Sequence, residues 1–186
     1  MRSVPLTLLG AMVVAFALVV PQAPALAEDP AALALAVKAA FLYKFEPFVT
    51  WPAEAFPAPD SPFNLCVIGA DPFGSLLDRA VDGQQTAGHR IAVVRLSLLS
   101  HDADCQMLYI APAASPAARE IEAAVDGRPV LTVTDSIGDA SAKGMINFVV
   151  ADNRVRFEID EAAAKRSGLQ ISSKLLSLAV SVRPAP

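Results

Sequence analysis

The chain has 186 residues, 54% of them hydrophobic, with 15 basic and 19 acidic side chains and a net charge of −4. That size fits one domain able to bury a substantial core. An acidic balance without a basic stripe argues against a nucleic-acid partner and against an anionic membrane surface.

Residues 1–27 read as a secretory signal peptide. Arg2 supplies the positive start, Leu6 to Val20 is an almost unbroken apolar run, and Ala25-Leu26-Ala27 forms an A-x-A cleavage site before Glu28. The alternative, an uncleaved N-terminal anchor, needs a longer apolar run, about 18–20 residues. Cleavage removes one charge, Arg2, and leaves an exported domain, residues 28–186, at a net charge of −5.

Within it, Leu33, Val37, Phe41 and Phe45 recur every four residues, with Ala40 and Phe48 widening the stripe, and predict a helix over Pro30 to Val49. Pro47 and Trp51-Pro52 end it. Residues 52–62 hold Pro52, Pro57, Pro59 and Pro62 and read as an irregular loop. Phe63 to Ile68 is a strand apolar enough to be buried on both faces. Asp71 can cap, and Pro72 begin, a helix that runs to Val81 and stops at Asp82-Gly83.

Ile91 to Leu96 and Gln106 to Ile110 follow as strands, Ser115-Pro116 opens a helix ending near Gly127, and Val130 to Val133 is a fourth strand. Met145 to Val150 and Arg154 to Ile159 form a hairpin joined by Ala151-Asp152-Asn153. Asp160 caps a short helix that Gly168 ends, with Glu161 and Lys165 paired at i, i+4. Ser172 or Ser173 caps a final helix on which Ile171, Leu175, Leu178 and Val182 share a face. Strands alternating with helices predict an α/β fold, mainly parallel and flanked by helices, with an antiparallel C-terminal hairpin. No repeat or linker divides it.

Motifs for chemistry are sparse. G-x-S-x-G, H-E-x-x-H, C-x-x-C and the Walker loop are missing from the sequence. A hydrolase would have to recruit His89 or His101, both in predicted loops. His101, Asp102, Asp104 and Cys105 carry donor types suited to a transition metal, but a solvated loop is the simpler reading, and no metal or cofactor is expected. Gly69-x-Asp71-Pro72-Phe73-Gly74 occupies a phosphate-binding position without the G-x-G-x-x-G spacing, and Asp71 would repel an anion, so ordinary capping is preferred.

Thr134-Asp135-Ser136 ends a strand where open α/β sheets gather ligands, and with Asp71 it forms a candidate crevice; the plain alternative is a turn. Arg154, Arg156 and Glu158 alternate along the last strand, as a partner anchor or as a charged edge that resists aggregation. Cys66 and Cys105 form a disulfide in an exported chain, or else two buried thiols.

Several segments together resemble the YfiR/HmsC-like family of bacterial periplasmic proteins. They are Lys38-Ala39-Ala40-Phe41-Leu42-Tyr43-Lys44-Phe45 with Phe48-Val49-Thr50-Trp51-Pro52, Cys66 to Gly74, Pro129 to Asp135, Gly144-Met145-Ile146-Asn147-Phe148, Arg156 to Asp160, and Gly168 to Leu176. The resemblance implies a Rossmann-like mixed sheet, a homodimer and a non-enzymatic repressor in the periplasm. It implies that the partner is an inner-membrane diguanylate cyclase, or a sensor kinase, held inactive through its periplasmic region, with consequences for cyclic di-GMP and biofilm formation. Cys66 and Cys105 match the family's principal cysteine pair. A second pair carried by some members is missing, and Lys143-Gly144 stands where two glycines are expected. The expected partner contact is Arg154, Arg156, Glu158, Ile171 and Lys174, the rival role for Ile171 being to close the core. The runner-up function is a periplasmic small-molecule-binding protein using the Asp71 and Asp135 crevice.

Overall fold

The computed structural model describes residues 29–100, 103–112, 115–135 and 143–186. In chain order these form α1 (Pro30–Phe45), a 3-10 turn at Glu46–Phe48, β1 (Val49–Thr50), a second such turn at Ala53–Ala55, β2 (Phe63–Ile68), α2 (Ser75–Val81), β3 (Gln85–Thr86) and β4 (His89–Leu96). Then come β5 (Met107–Ile110), α3 (Ser115–Val125), β6 (Leu131–Asp135), β7 (Ile146–Ala151), β8 (Arg154–Asp160), α4 (Glu161–Arg166), β9 (Gln170–Ile171), α5 (Ser173–Leu176) and β10 (Ser181–Arg183).

Eight strands make a mixed sheet in the order β10-β8-β7-β6-β5-β2-β4-β3. The run from β4 through β2, β5 and β6 to β7 is parallel throughout, and β7 and β8 close an antiparallel hairpin. Strand alternation sorts the side chains into two cores. Leu65, Val67, Met107, Leu131, Ile146 and Phe157 face the larger core, into which α1 sends Leu42 and Phe45 and α2 sends Leu77. Phe41 and Phe45 of α1 meet Phe148 and Phe157 of the hairpin at centroid separations of 5.1–6.2 Å, mixing stacked and edge-on contacts. On the opposite face Cys66, Leu108 and Ile110 pack with Ile121 and Val125 of α3. The Cys66–Cys105 disulfide lies in this smaller core and joins β2 to the segment before β5.

The predicted α/β architecture and the antiparallel hairpin are present, and four local expectations are corrected. First, α1 stops at Phe45, because Phe48 to Thr50 leave the helix to pair with β9, Val49 opposite Ile171 and Thr50 opposite Gln170. Second, α2 begins at Ser75: the Asp71 carboxylate accepts the Phe73 N–H at 2.7 Å in a tight turn and does not cap the helix, whose preceding residue is Gly74 at φ +49°. Third, the hairpin turn is two residues, Asp152 and Asn153, both at positive φ as a right-twisted two-residue hairpin requires. Fourth, the predicted final helix is a single turn. Ser172 Oγ caps it by accepting from Leu175 N–H, and Leu178 beyond it is exposed. Ser181-Val182-Arg183 instead adds β10 alongside Glu158-Ile159-Asp160, since beyond Leu175 no core receives the apolar side of a longer helix while the edge of β8 offers backbone partners.

Two outcomes follow. Thiol labelling of denatured, unreduced protein should find no free cysteine, and loss of the bridge should cost about 2–5 kcal/mol of stability in urea titrations. At Gly144, a Cβ would stand 2.9 Å from the Thr132 carbonyl oxygen, so Gly144→Ala should destabilise by about 1–3 kcal/mol in the same titration.

Candidate functional site

Three regions hold the polar side chains that the fold places deliberately. The first is the C-terminal edge of the parallel strands. Lys38, on the buried side of α1, forms an ion pair with Asp135 at the end of β6, and both side chains are almost wholly enclosed. Tyr109 of β5 is fully buried nearby, its hydroxyl without a hydrogen-bond partner among the described residues. Burial, together with the negative charges of Asp135 and Asp71, pushes its pKa well above the usual tyrosine value.

Asp71 is itself held by Arg95, whose Nε donates to it at 2.8 Å while the rest of the guanidinium binds Asp78 and the Gly74 carbonyl. Thr134, expected beside Asp135, points to the opposite face of the sheet: it donates to Asn147 Oδ1 at 3.0 Å and accepts from Gly144 N–H at 2.9 Å. Ser136 lies outside the described residues. This end of the sheet therefore gathers Asp71, Tyr109, Asp135 and Lys38, and Thr134 is not one of the group.

The second region is the other half-face of the sheet. Where α3 covers β2 and β5 the surface is apolar, but β6, β7 and β8 present Thr132, Thr134, Asn147 and Glu158 there. Glu158 accepts from Lys143 Nζ at 2.9 Å and from Asn147 Nδ2 at 3.3 Å. The lysine hydrogen bond, ahead of the smaller contribution from Asn147, holds its carboxyl below the usual glutamate value. A cleft of about 410 Å³ opens between Glu122 of α3 and this strand pair, with Ser181 and Arg183 on its far wall. Arg154 and Arg156, exposed at the top of β8, share this face with Glu158 by strand alternation. Lys174 is exposed on α5. Ile171 is only 8% exposed, belongs to the larger core and pairs with Val49. The structure thus brings Arg154, Arg156 and Glu158 together and puts Ile171 inside.

The third region is the opposite, N-terminal edge of the strands. Gln106 is buried with its polar groups engaged: Oε1 accepts from Asn64 N–H at 2.7 Å, and Nε2 donates to the Ala55 carbonyl at 2.6 Å and to Asp104 at 2.9 Å. Its backbone carbonyl accepts the Trp51 indole N–H at 3.0 Å. His89 stacks on Phe56 with centroids 4.2 Å apart, and its Nδ1 meets the Ser61 carbonyl at 2.6 Å, so that nitrogen donates. Asp104 is occupied by Gln106 and Asn64, Cys105 by the disulfide, and His101 and Asp102 lie outside the described residues. Among the described residues no group of His, Cys, Asp and Glu could hold a metal ion.

Lys38, Tyr109, Gln106 and Glu46 were not singled out by sequence reasoning. Lys38 had a usable signal, as a cation flanked on both sides by apolar residues of the repeat, which needs a carboxylate once buried.

The family model of YfiR/HmsC-like proteins matches residues 35–180. The chain belongs to the YfiR/HmsC-like family. Its shared segments meet in space: Lys38 from the opening run pairs with Asp135 of the Pro129–Asp135 run, and Val49 of the opening run pairs with Ile171 of the closing one. Phe41 and Phe45 stack against Phe148 and Phe157 from two further segments. In this YfiR/HmsC-like chain, the residues that carry the resemblance are chiefly those that join α1 and the C-terminal segment to the sheet.

Glu46, below α1, is buried with one carboxylate oxygen lacking a hydrogen-bond partner among the described residues. Burial raises its pKa to about 7, the nearby His89 opposing part of the rise. A folded-state value above the unfolded one means that the folded protein holds the proton more tightly. The resulting stability is complete below the unfolded pKa and is lost as pH rises through about 7. Glu46→Gln should therefore melt a few degrees above the wild type at pH 8, and the gap should shrink as pH falls towards 4.5. Thermal melts at both pH values check this.

Proposed function

We propose that this protein is an exported, non-enzymatic regulator that represses a membrane-bound diguanylate cyclase, or a sensor kinase, by binding its periplasmic region, and so limits cyclic di-GMP and biofilm formation. Membership of the YfiR/HmsC-like family over residues 35–180 carries this reading. The N-terminal sequence supports export, and among the described residues no helix is long and apolar enough to cross a membrane. The contact surface is the top of the C-terminal hairpin, Arg154 and Arg156 with Glu158 below them, and Lys174 on α5 extends it. Arginine is a residue type favoured at the energetic centre of interfaces. The repressor acts as a homodimer, and release of the partner raises the cyclase's output by population shift.

A second reading, a small-molecule-binding protein, is favoured by one observation: the Tyr109 hydroxyl, buried beside Asp71 and Asp135 with no hydrogen-bond partner among the described residues. A ligand seated there would raise the melting temperature in the absence of any protein partner.

Deletion of the gene should raise cellular cyclic di-GMP, and re-expression of the wild-type chain should restore it. Arg154→Glu/Arg156→Glu should fold, with stability within about 0.5 kcal/mol as for exposed sites, and fail to restore it. Unchanged cyclic di-GMP on deletion overturns the regulator reading. A folded double variant that represses fully removes this surface.

A further inference from the structure

The strand β8 is only half covered on its outer side. β10 pairs with it along Glu158, Ile159 and Asp160, and one more backbone bond runs from Val180 N–H to the Phe157 carbonyl. Above Phe157 the ladder stops. The two-residue turn fixes which groups point outward there. Arg154 faces Ala151 directly across the turn as a hydrogen-bonded pair, so the next pair, Val155 with Val150, turns its backbone groups away from the partner strand. Phe157 is two residues further on, and its outward carbonyl, bonded to Val180, confirms the phase. Val155 thus directs its N–H and C=O toward the open edge.

The side chains around this edge differ by face. Arg154 and Arg156 stand on the polar face, both exposed. On the other face Val155 is half-buried against the core, and its cross-strand neighbour Val150 is 61% exposed. Val180, 49% exposed, and Leu178, 58% exposed, lie in the segment that leads into β10. Three of the five large hydrophobic side chains most exposed among the described residues are therefore at this end of the molecule. An open backbone edge with two cations on one face and exposed aliphatic groups on the other is a template for an added strand of matching pattern.

We propose that the edge of β8 from Arg154 to Arg156 receives an extended segment of a partner protein in which acidic and aliphatic residues alternate. The acidic side chains pair with Arg154 and Arg156, the aliphatic ones pack on Val155, and the backbone bonds to Val155. A second copy of this chain is a poor occupant. Two β8 edges meeting antiparallel would place arginine beside arginine, and like charges directly opposite destabilise a strand pair. The proposal rests on the regulator reading only in assigning the segment to the membrane-bound partner.

The test uses the mature chain and three acetylated peptides. One alternates glutamate with valine, one alternates lysine with valine, and one keeps the glutamates but carries methyl groups on alternate backbone nitrogens. Amide hydrogen exchange at Val155, read by NMR, is the signal, since side-chain binding alone would leave that N–H unprotected. The glutamate peptide should slow exchange at Val155 by about tenfold or more, and the lysine and methylated peptides should not. Arg154→Glu/Arg156→Glu should reverse the preference between glutamate and lysine peptides.

Equal binding of the methylated peptide, or binding without protection at Val155, overturns strand addition. Protection that grows with protein concentration and no peptide identifies a second copy as the occupant and overturns the proposal as well. The regulator reading is decided separately, by cyclic di-GMP in the deletion strain, so either can fail alone.

Discussion

The ion pair between Lys38 and Asp135 is the contact on which the placement of α1 depends. The helix is apolar around most of its circumference, with Ala, Leu and Val filling its first two turns. Such a helix gains nearly as much by burying one side as another, so apolar area alone fixes neither its rotation nor its position along its axis. A single buried ammonium does. It must meet a carboxylate, and Asp135 at the end of β6 is where the sheet supplies one. Removing one partner would strand the other in the core, at a cost of about 3–5 kcal/mol, although a well-packed apolar pair in its place often costs nothing. The pair therefore contributes more to choosing one arrangement than to net stability. It also sets Phe41 and Phe45 against Phe148 and Phe157.

At the other end of the strands Gln106 does similar work with neutral groups. Its side-chain amide and its backbone bind Ala55, Asn64, Asp104 and Trp51, residues from three separate stretches of chain. The proline-rich connection that follows α1 has little repetitive structure to satisfy its own backbone. Gln106 and the β1–β9 pair tie it down instead. The two edges of the sheet are thus closed by different chemistry, a charged pair where α1 begins its packing and an amide where it ends.

The strands that read clearly in the sequence are those whose side chains are buried on both faces. β2, β5 and β6 announce themselves as short apolar runs between turn residues, and Asp152-Asn153 marks the hairpin. β1, β9 and β10 are two or three residues long. They exist because a neighbouring strand offers unpaired backbone, and no periodicity of their own records that. The same limit explains the final helix: Leu175, Leu178 and Val182 have helical spacing, yet only Leu175 finds a core to enter. Asp71 shows a different failure. Its position before Pro72 fits a helix cap, but Arg95, 24 residues away, draws the carboxylate into a turn. Of the site, Arg154, Arg156 and Glu158 were legible through strand alternation, whereas Tyr109 was not, because its burial beside Asp71 and Asp135 arises only when separate strands come together.

The two halves of the sheet follow different rules on the α3 side. β2 and β5 lie between helical layers and are apolar on both faces, as interior parallel strands must be. β7 and β8 are antiparallel, and their outer face carries Asn147, Glu158 and the two arginines. This division separates the side chains that build the cores from those that face outward. Lys38, Phe45, Cys66, Asp135, Phe148, Phe157 and Ile171 all sit in the resembling segments, and all are largely or wholly buried. They specify the scaffold of this chain, and that scaffold presents the hairpin edge. Which partner that edge accepts depends on side chains that the scaffold does not constrain. Arg154 and Arg156 point away from both cores, so their charge is free to be chosen for recognition without loss of the fold.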